Sequence, residues 1–281
     1  MSLVVTGATG RLGGRVARRL AATTAEGLRL LVRDPGRAPR LPGAEVAVAD
    51  YGDPGALRAA LAGARTVLMV SAAESPDRVD RHRAFVDAAA AAGVGHLVYT
   101  SFVGAAPDAT FTLARDHAAT EEHIRASGLA FTILRDNLYA DFLPLMVGDD
   151  GVIRGPGGHG RAAVVAQDDI ADAAVAVLRA PAAHAGATYD LTGPEALSFA
   201  EMATAISAAT GRPVRYEPET LAEAYASRAH YGVPDWQVDA WVSTYTAVAA
   251  GELAAVDPAV PRLTGRPATS FARVLTGPAG S

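Results

Sequence analysis

The segment that most constrains the fold lies at the start of the chain, where a short apolar run ends in a glycine-rich turn. Leu3 to Thr6 reads as a buried strand, and it leads directly into a loop with glycines three residues apart, Gly7-Ala8-Thr9-Gly10-Arg11-Leu12-Gly13. Apolar residues at helical spacing follow this loop. Strand, tight turn and helix in this order present free backbone N–H groups and a helix dipole to a pyrophosphate. The segment therefore predicts a dinucleotide-binding loop, with a purely structural turn as the alternative.

The same alternation of strand and helix continues along the first half of the chain. Five more apolar runs rich in Val, Leu or Ile read as buried strands: Leu28–Val32, Glu45–Val48, Thr66–Val70, His96–Thr100 and Ala130–Leu134. Helical patterns lie between most of them, at Leu57–Leu61, Asp80–Ala92 and Ala114–Ser127. Crossovers of this length suit parallel neighbours. The pattern predicts an α/β fold with a doubly wound parallel sheet, a Rossmann fold.

The regular alternation of predicted strands and helices ends after Asp136, where a glycine-rich stretch precedes a less regular region. Ser198 and Glu201 have the spacing of a capping box at the start of a helix ending near Thr210, and Pro218 to Ala249 is mostly helical in pattern. We expect a dinucleotide-binding domain at 1–150, with 164–184 packing back on it. A smaller C-terminal α/β substrate lobe at 185–281, with 151–163, is expected to cover the carboxyl ends of the strands.

Composition excludes several classes of function. The 25 basic and 30 acidic residues give a net charge of −5, so no basic excess is available to drive nucleic-acid binding. The chain has no cysteine, which excludes thiolate nucleophiles and iron–sulfur clusters. All 25 basic residues are arginine, which excludes a Schiff-base lysine, a P-loop lysine and a Tyr-x-x-x-Lys dyad. Redox chemistry would therefore need a bound cofactor.

No segment of the sequence predicts contact with a membrane. The longest apolar stretch, Phe85 to Val94, is interrupted by Asp87 and is too short to span a bilayer, and the first residues lack the pattern of a signal peptide. We expect a soluble, cytoplasmic protein that is a monomer or a homodimer.

The end of the second predicted strand indicates which nicotinamide cofactor is bound. A ribose 2′-hydroxyl is usually held by an acidic residue at this point, whereas a 2′-phosphate calls for arginine. The strand ends at Arg33, and Arg11 in the glycine loop is able to approach the same phosphate, so NADPH is favoured. Asp34 facing the ribose, or a solvated Arg33–Asp34 pair, is the alternative. Asp50 follows the third strand and is placed either to accept from the adenine amino group or to cap the next helix.

Six motifs of the sequence are informative together: the glycine loop, Val32-Arg33-Asp34-Pro35, Ala49-Asp50-Tyr51-Gly52-Asp53, Tyr99-Thr100-Ser101, Leu134-Arg135-Asp136-Asn137 and Leu263-Thr264-Gly265-Arg266-Pro267. They resemble those of the NmrA-like group of atypical short-chain dehydrogenases, within which the chain is most similar to bacterial type 2 NADPH:quinone oxidoreductases and triphenylmethane reductases. The resemblance covers nearly the whole chain.

This resemblance implies a set of cofactor-binding residues. The phosphates and the adenosine side of NADP are assigned to Gly7, Thr9, Gly10, Arg11, Leu12, Arg33, Ser71, Ala72 and Ala73. The nicotinamide end is assigned to 136–141, including Asp136 and Asn137. At this point the chain has Asp136-Asn137-Leu138-Tyr139, whereas the pattern of the quinone reductases is similar to Asn-Gly-Trp-Tyr. Because of this difference, the resemblance leaves the identity of the acceptor open.

Candidate catalytic residues follow from the carboxyl-end rule and from the missing lysine. Thr100 and Ser101 should border the nicotinamide, unless they only terminate the strand. His117 is a candidate proton donor, oriented by Glu121 one turn on, with simple packing as the alternative. Tyr139 lines a quinone slot or belongs to the core. Reduction of a quinone does not require a dedicated proton donor, because water or a weak acid can protonate the hydroquinone anion.

These observations predict an NADPH-dependent reductase that transfers hydride directly to a quinone or similar aromatic acceptor, without flavin or metal. The alternatives are a non-catalytic NADP-binding redox sensor of the NmrA type and a ketone or imine reductase of a biosynthetic pathway. The carboxylate pairs at 149–150 and 168–169 lack a third ligand at metal spacing, so helix capping by Asp168 or Asp169 is favoured. Trp236, Trp241 and Tyr245 form a stripe that belongs to the core or walls the substrate slot.

Overall fold

A computed structural model describes residues 2–23 and 27–277. Residues 1, 24–26 and 278–281, which fall inside the two predicted domain ranges, lie outside the described residues.

In the first half of the chain, helices lie between most of the strands, as the sequence predicts, and the later part is less regular. The strands are β1 Leu3–Thr6, β2 Leu28–Val32, β3 Ala44–Val48, β4 Thr66–Met69, β5 His96–Phe102, β6 Ala130–Asp136, β7 Val152–Gly155, β8 Arg161–Ala162, β9 Thr188–Leu191, β10 Leu197–Ser198 and β11 Arg215–Pro218. The helices are α1 Arg11–Ala21, α2 Pro54–Leu61, α3 Arg78–Ala91, α4 Thr112–Ala126, α5 Gln167–Arg179, α6 Phe199–Thr210, α7 Leu221–Arg228, α8 Asp235–Ala249, α9 Ala259–Thr264 and α10 Phe271–Thr276.

Seven of the strands form one sheet in the order β3-β2-β1-β4-β5-β6-β9. The pairs β2–β3, β1–β2, β1–β4 and β4–β5 are parallel. The strand order reverses between β1 and β4, and ligands of open α/β sheets bind outside the carboxyl ends of the strands at such a point. This confirms the predicted Rossmann fold and places the glycine loop at its binding edge.

Helices cover the sheet, which is why its central strands are almost wholly apolar. One buried cluster joins strand residues such as Val67 and Leu97 to Leu57 of α2, Phe85 of α3 and Ile124 of α4. A second contact joins α1 to α5 through ion pairs. Arg19 contacts Asp168 at 2.5 Å and Asp172 at 2.6 Å, and Arg15 contacts Asp168 at 3.2 Å.

The chain divides into two compact units. The first contains the residues up to Phe102 together with Asp116–Arg135 and Asp168–Tyr189; the second contains Val103–Arg115, Asp136–Gln167 and the residues from Asp190 on. The segments 103–115 and 136–150, which the sequence analysis grouped with the dinucleotide-binding domain, therefore belong to the second unit. Hydrogen bonds explain this grouping, because the Thr112 backbone N–H donates to Ser243 at 3.2 Å and the Asn137 amide donates to the Leu253 carbonyl at 3.0 Å.

The second unit contains two small sheets and most of the later helices. Strand β7 pairs with β11 in parallel, and β8 pairs with β10 in antiparallel. The predicted capping box opens α6, with Ser198 and Glu201 bonded reciprocally. Within the described residues, no helix is both long and apolar enough to span a bilayer.

Candidate active site

The glycine loop forms a close backbone turn between β1 and α1. Gly7 has a φ of +62°, which an L side chain rarely adopts, and a Cβ there would lie 3.2 Å from Val70. Gly10 is the N-cap of α1 in an extended conformation, with no side chain capping the first turn. Gly13 packs so tightly that a Cβ would lie 2.6 Å from the Thr6 carbonyl oxygen. Bare backbone at a helix N-terminus with basic Arg11 exposed beside it fits a dinucleotide pyrophosphate.

Tyr51, which the sequence analysis named within a motif but gave no role, fixes the base of this loop. The Tyr51 hydroxyl donates to the Val70 carbonyl at 2.8 Å, and the Thr6 hydroxyl donates to Tyr51 at 2.6 Å. Thr6 also accepts from the Val70 backbone N–H at 2.8 Å. Burial raises the pKa of Tyr51, so the phenol stays neutral. These bonds hold the carboxyl ends of β1 and β4 together under the loop.

Arg33 lies where the sequence predicts it, directly after β2, and it is exposed together with Arg37 and Arg40. The Asp34 carboxylate accepts from the Gly36 backbone N–H at 2.9 Å and caps the short turn that follows. The Arg33 guanidinium opposes the burial-driven rise in the pKa of Tyr51, so its charge acts toward the loop. The exposed side chains at this end of the sheet are therefore mainly basic, and the carboxylate of Asp34 is hydrogen-bonded to the neighbouring backbone.

Asp50 does not have the capping role considered for it. Its carboxylate accepts from the Gly52 backbone N–H at 2.8 Å and from Arg81 at 2.6 Å. The cap of α2 is Asp53, which accepts from two backbone N–H groups at 3.0 Å, because it lies directly before the first helical residue. Adenine recognition by Asp50 stays a prediction.

The predicted adenosine-side residues form the turn after β4. The Ser71 backbone N–H donates to the Thr100 hydroxyl at 2.9 Å. The Ala72 N–H donates to His82 at 2.8 Å, and its carbonyl accepts from Arg78 at 3.0 Å. Ala73 is exposed at the end of this turn. The backbone of the turn is thus fixed by Thr100 of β5 and by two side chains of α3.

His117 belongs to a buried network built around Arg78. Its Nε2 accepts from the Arg78 guanidinium at 2.9 Å, and its Nδ1 lies 2.8 Å from the Tyr99 hydroxyl. Because arginine only donates, Nε2 carries no proton and Nδ1–H donates to Tyr99. His117 is 6% exposed, and burial, with the Arg78 charge adding to it, holds its pKa well below the usual value. A neutral imidazole with both nitrogens engaged is not placed to donate a proton here.

His82, on α3, is a second buried histidine with both ring nitrogens hydrogen-bonded. His82 Nε2 accepts from the Ala72 backbone N–H, so its Nδ1–H donates to Thr120 at 2.9 Å. Burial and the Arg78 charge lower the pKa of His82 to about 3. Arg78 and His82 were not selected from the sequence, and Tyr99 was named only as part of the Tyr99-Thr100-Ser101 motif. The available signal was Arg78 and His82 four residues apart on one helix face.

Ser101 and Glu121 form a separate buried pair. Strand β5 extends beyond its predicted end at Thr100, so Ser101 lies inside the strand, and its hydroxyl donates to Glu121 at 2.6 Å. The same carboxylate accepts from Arg125 at 3.0 Å and from Arg135 at 2.7 Å. Burial opposes ionisation of Glu121, but these donors hold its pKa below the usual value. Glu121 therefore binds Ser101 and two arginines, and the expectation that it orients His117 is corrected.

In the second unit, Asp136 and Tyr139 form a buried acid–phenol pair. The Tyr139 hydroxyl donates to Asp136 Oδ2 at 2.9 Å, and the Tyr139 ring packs 5.4 Å from that of Phe142. Burial raises the pKa of Asp136 to about 8, and the bond from Tyr139 only partly opposes this. Within the described part of the chain, Asp136 Oδ1 has no hydrogen-bond partner. Asp136 is thus a largely neutral carboxylic acid with one unsatisfied oxygen.

Asn137 is held by the second unit itself. Its side-chain amide donates to the Leu253 carbonyl at 3.0 Å and accepts from the Leu138 backbone N–H at 2.7 Å. Its own backbone N–H donates to Leu191 at 3.1 Å. The side chain is fully buried, so these bonds give Asn137 a structural part, and its predicted contact with a cofactor stays a prediction.

The carboxylate pairs considered as metal ligands have other partners. Asp150 pairs with Arg154 at 2.6 Å. Asp168 pairs with α1 arginines and does not cap α5, whose first backbone N–H donates to Asp141 at 2.8 Å. Over residues 2–23 and 27–277, no group of three or more His, Asp or Glu side chains is arranged to hold a metal.

The fold and the glycine loop define a dinucleotide-binding protein of the Rossmann type. A protein-family model described as NAD(P)H-binding matches residues 7–181. The chain belongs to this NAD(P)H-binding family.

Relatives and solved structures extend this assignment over the whole chain. The chain is 36% identical to the NAD(P)H azoreductase of Xenophilus azovorans over 275 residues, which is 96% of this chain and 95% of the relative. It is similar to the NADPH complex of the Escherichia coli quinone oxidoreductase QOR2, with 32% identity, a TM-score of 0.89 and 98% of both chains covered. It is also similar to the Citrobacter triphenylmethane reductase, with 31% identity, a TM-score of 0.87 and 98% of both chains covered.

NmrA, a negative transcriptional regulator solved with NAD, shares the fold at 17% identity with a TM-score of 0.76. The resemblance stated from the sequence is therefore confirmed. The chain is an NAD(P)H-dependent oxidoreductase similar to these quinone, azo and dye reductases.

Proposed function

We propose that the protein is an NADPH-dependent reductase that transfers hydride directly to a quinone or a similar conjugated aromatic acceptor, without flavin. The observation that carries the proposal is the pairing of a bare glycine loop with exposed Arg33 at the end of β2. Asp34, the competing acidic residue, is bound to Gly36. This arrangement favours the 2′-phosphate of NADPH over the 2′-hydroxyl of NADH.

The bound nicotinamide would supply the hydride, and the protein would bind the cofactor and the acceptor and orient them toward each other. Gly7, Gly10 and the first turn of α1 would hold the pyrophosphate, and Arg33 the 2′-phosphate. Thr100 fixes the turn after β4 through Ser71. His117 acts through Arg78 and Tyr99 as a positioning residue.

We favour a quinone-like acceptor because the chain has no lysine to poise a tyrosine for the protonation of an alkoxide. Burial raises the pKa of Tyr99, and the Ser101 hydroxyl is committed to Glu121. Reduction of a quinone gives an aromatic hydroquinone anion that solvent can protonate. This reaction can therefore proceed in a site that lacks a lysine-activated tyrosine. The quinone oxidoreductase and azoreductase names of the relatives agree with this class of acceptor.

The test is anaerobic consumption of NADPH, with NADH measured in parallel, by purified protein against benzoquinones and naphthoquinones. The protein is first shown by its visible absorbance to carry no flavin. We expect NADPH-selective turnover that added FMN does not increase. Turnover that depends on added flavin would contradict direct transfer. Saturable NADP binding with no turnover on a broad acceptor panel would favour the sensor instead. The monomeric or homodimeric state and the cytoplasmic location stay predictions.

A further inference from the structure

Asp50 forms an ion pair with Arg81, a residue to which the sequence analysis gave no role. Asp50 follows β3, and Arg81 lies in the first turn of α3. The Asp50 Oδ1 atom accepts from the Arg81 guanidinium at 2.6 Å and from the Gly52 backbone N–H at 2.8 Å. Within the described residues, Oδ2 of the same carboxylate has no hydrogen bond. The Asp50 side chain is 34% exposed and Oδ2 is not buried, so this oxygen is accessible to a ligand.

Arg81 is itself held from a second side. Its Nε lies 3.3 Å from Oδ2 of Asp77, the residue directly before α3. Gly52 leaves room for the pair, because a Cβ there would lie 3.2 Å from Asp50 Oδ1 and 3.8 Å from the Arg81 guanidinium. Arg81 therefore links the loop after β3 to the start of α3, and its planar guanidinium has a defined orientation.

The pair lies near the base of the glycine loop. Tyr51, the next residue after Asp50, is bonded beneath this loop to Thr6 and Val70. Burial raises the pKa of Tyr51, while the Arg33 charge opposes this rise and the Asp50 charge adds to it. Both charges therefore act on the same phenol. In NADPH one adenosine carries the 2′-phosphate and the adenine, so it would reach Arg33 with the first and Asp50 with the second.

An accessible carboxylate oxygen distinguishes purines by the group at position 6. It accepts from the 6-amino group of adenine, whereas a 6-carbonyl, as in hypoxanthine, would present only lone pairs to it. A half-exposed aspartate can rotate between staggered conformers, and each rotation would turn Oδ2 away from the base. The charge-assisted bond from Arg81, together with the bond from Gly52, favours one of these conformers.

We propose that Arg81 is a positioning residue for the adenine end of the cofactor, which holds Asp50 with Oδ2 toward the 6-amino group of the base. The inference rests on the proposed function in taking NADPH as the cofactor. It goes beyond a contact of Asp50 with adenine, because Arg81 sets the preference for this base without touching it. Arg83, two residues further along α3, instead pairs with the exposed Asp80 at 3.8 Å.

The test compares the binding of two cofactors to the full chain by calorimetry, without an acceptor, so that turnover does not contribute. They are NADPH and reduced nicotinamide hypoxanthine dinucleotide phosphate, which has a 6-carbonyl in place of the 6-amino group and keeps the 2′-phosphate. Arg81→Met removes the guanidinium but keeps most of the aliphatic length, and Arg81→Lys returns the positive charge. Arg83→Met is the matched control, because it removes an exposed arginine from the same helix. Thermal unfolding of each variant detects a loss of folding separately.

We expect the unchanged protein to bind NADPH about tenfold or more tightly than the hypoxanthine analogue, which corresponds to one hydrogen bond to a charged group. Arg81→Met should lower this ratio by about threefold or more, because it weakens the binding of NADPH and not that of the analogue. Arg81→Lys should restore part of the ratio, and Arg83→Met should leave it unchanged. If Arg81→Met does not fold, Arg81→Gln gives the same comparison.

Equal binding of the two cofactors by the unchanged protein would overturn the recognition of the amino group. A loss in Arg81→Met that is the same for both cofactors would show that Arg81 only stabilises the fold, and would overturn its positioning role. Absent quinone turnover with an intact preference for NADPH over the analogue would refute the proposed function alone. Quinone turnover without that preference would refute this inference alone.

Discussion

Replacing Gly13 by alanine tests the role of the close approach beneath the glycine loop. An added Cβ would lie 2.6 Å from the Thr6 carbonyl oxygen and 2.6 Å from the Gly7 carbonyl carbon, and closer still to the Gly7 oxygen. With a well depth of about 0.1 kcal/mol per atom pair, these three contacts would cost more than about 5 kcal/mol in a rigid structure. Relaxation reduces overpacking to about 2–3 kcal/mol. Alanine regains about 1 kcal/mol of helix propensity.

The expected net loss is therefore about 1–2 kcal/mol, or a fall in Tm of about 2–4 °C for a chain of this length. Because the atoms that must move belong to Thr6 and Gly7, the NADPH Kd should also rise by about tenfold or more. The assays are thermal unfolding and NADPH titration. Gly14→Ala is the control in the same helix, since its Cβ would lie 3.1 Å from the Ala8 oxygen, and its Tm should change by less than about 2 °C. If Gly13→Ala matched the unchanged protein in both assays, the close-approach argument would be refuted.

Three further substitutions test the cofactor preference and the buried groups. Arg33→Ala should weaken NADPH binding by about 10- to 100-fold relative to NADH binding. Arg37 is also exposed, and Arg37→Ala should not change this ratio. Equal weakening of the binding of both cofactors would show that Arg33 does not contact the 2′-phosphate. His117→Gln should lower the Tm but leave every ionisation in the pH profile of kcat/KM in place; a lost ionisation would restore the proton-donor role. The Asp136 pKa of about 8 means that folded Asp136 keeps a proton that the unfolded chain has lost, so stability falls as pH rises from about 4 to 8. Asp136→Asn should flatten that decline in thermal unfolding, and an unchanged slope would assign it to other groups.

The sequence predicts the sheet well because the signals that specify it are local. Leu28–Val32 appears as a strand with the predicted bounds, and the Ser198–Glu201 capping box opens its helix as expected. The glycine loop, too, depends on a few neighbouring residues. Each of these features is set by interactions within about ten residues, which is the range that periodicity and capping patterns report.

The side-chain network could not be read from the sequence, because its partners come from distant strands and helices. His117 was paired with Glu121 on helical spacing, yet α4 turns His117 toward Arg78 and Tyr99 while Glu121 faces Ser101 and Arg135. Spacing along a helix gives the shared face but not what packs against it.

The arginine-only composition has a consequence for the ion pairs that join α1 to α5. The basic partners of Asp168 and Asp172 are Arg15 and Arg19. A guanidinium stays protonated at pH values where a lysine ammonium has begun to lose its charge. These links between helices on the sheet should therefore persist at alkaline pH values that would weaken the same pairs made with lysine. Burial raises the pKa of Tyr51 and Tyr99, so ionisation of these buried phenols opposes folding in the same alkaline range.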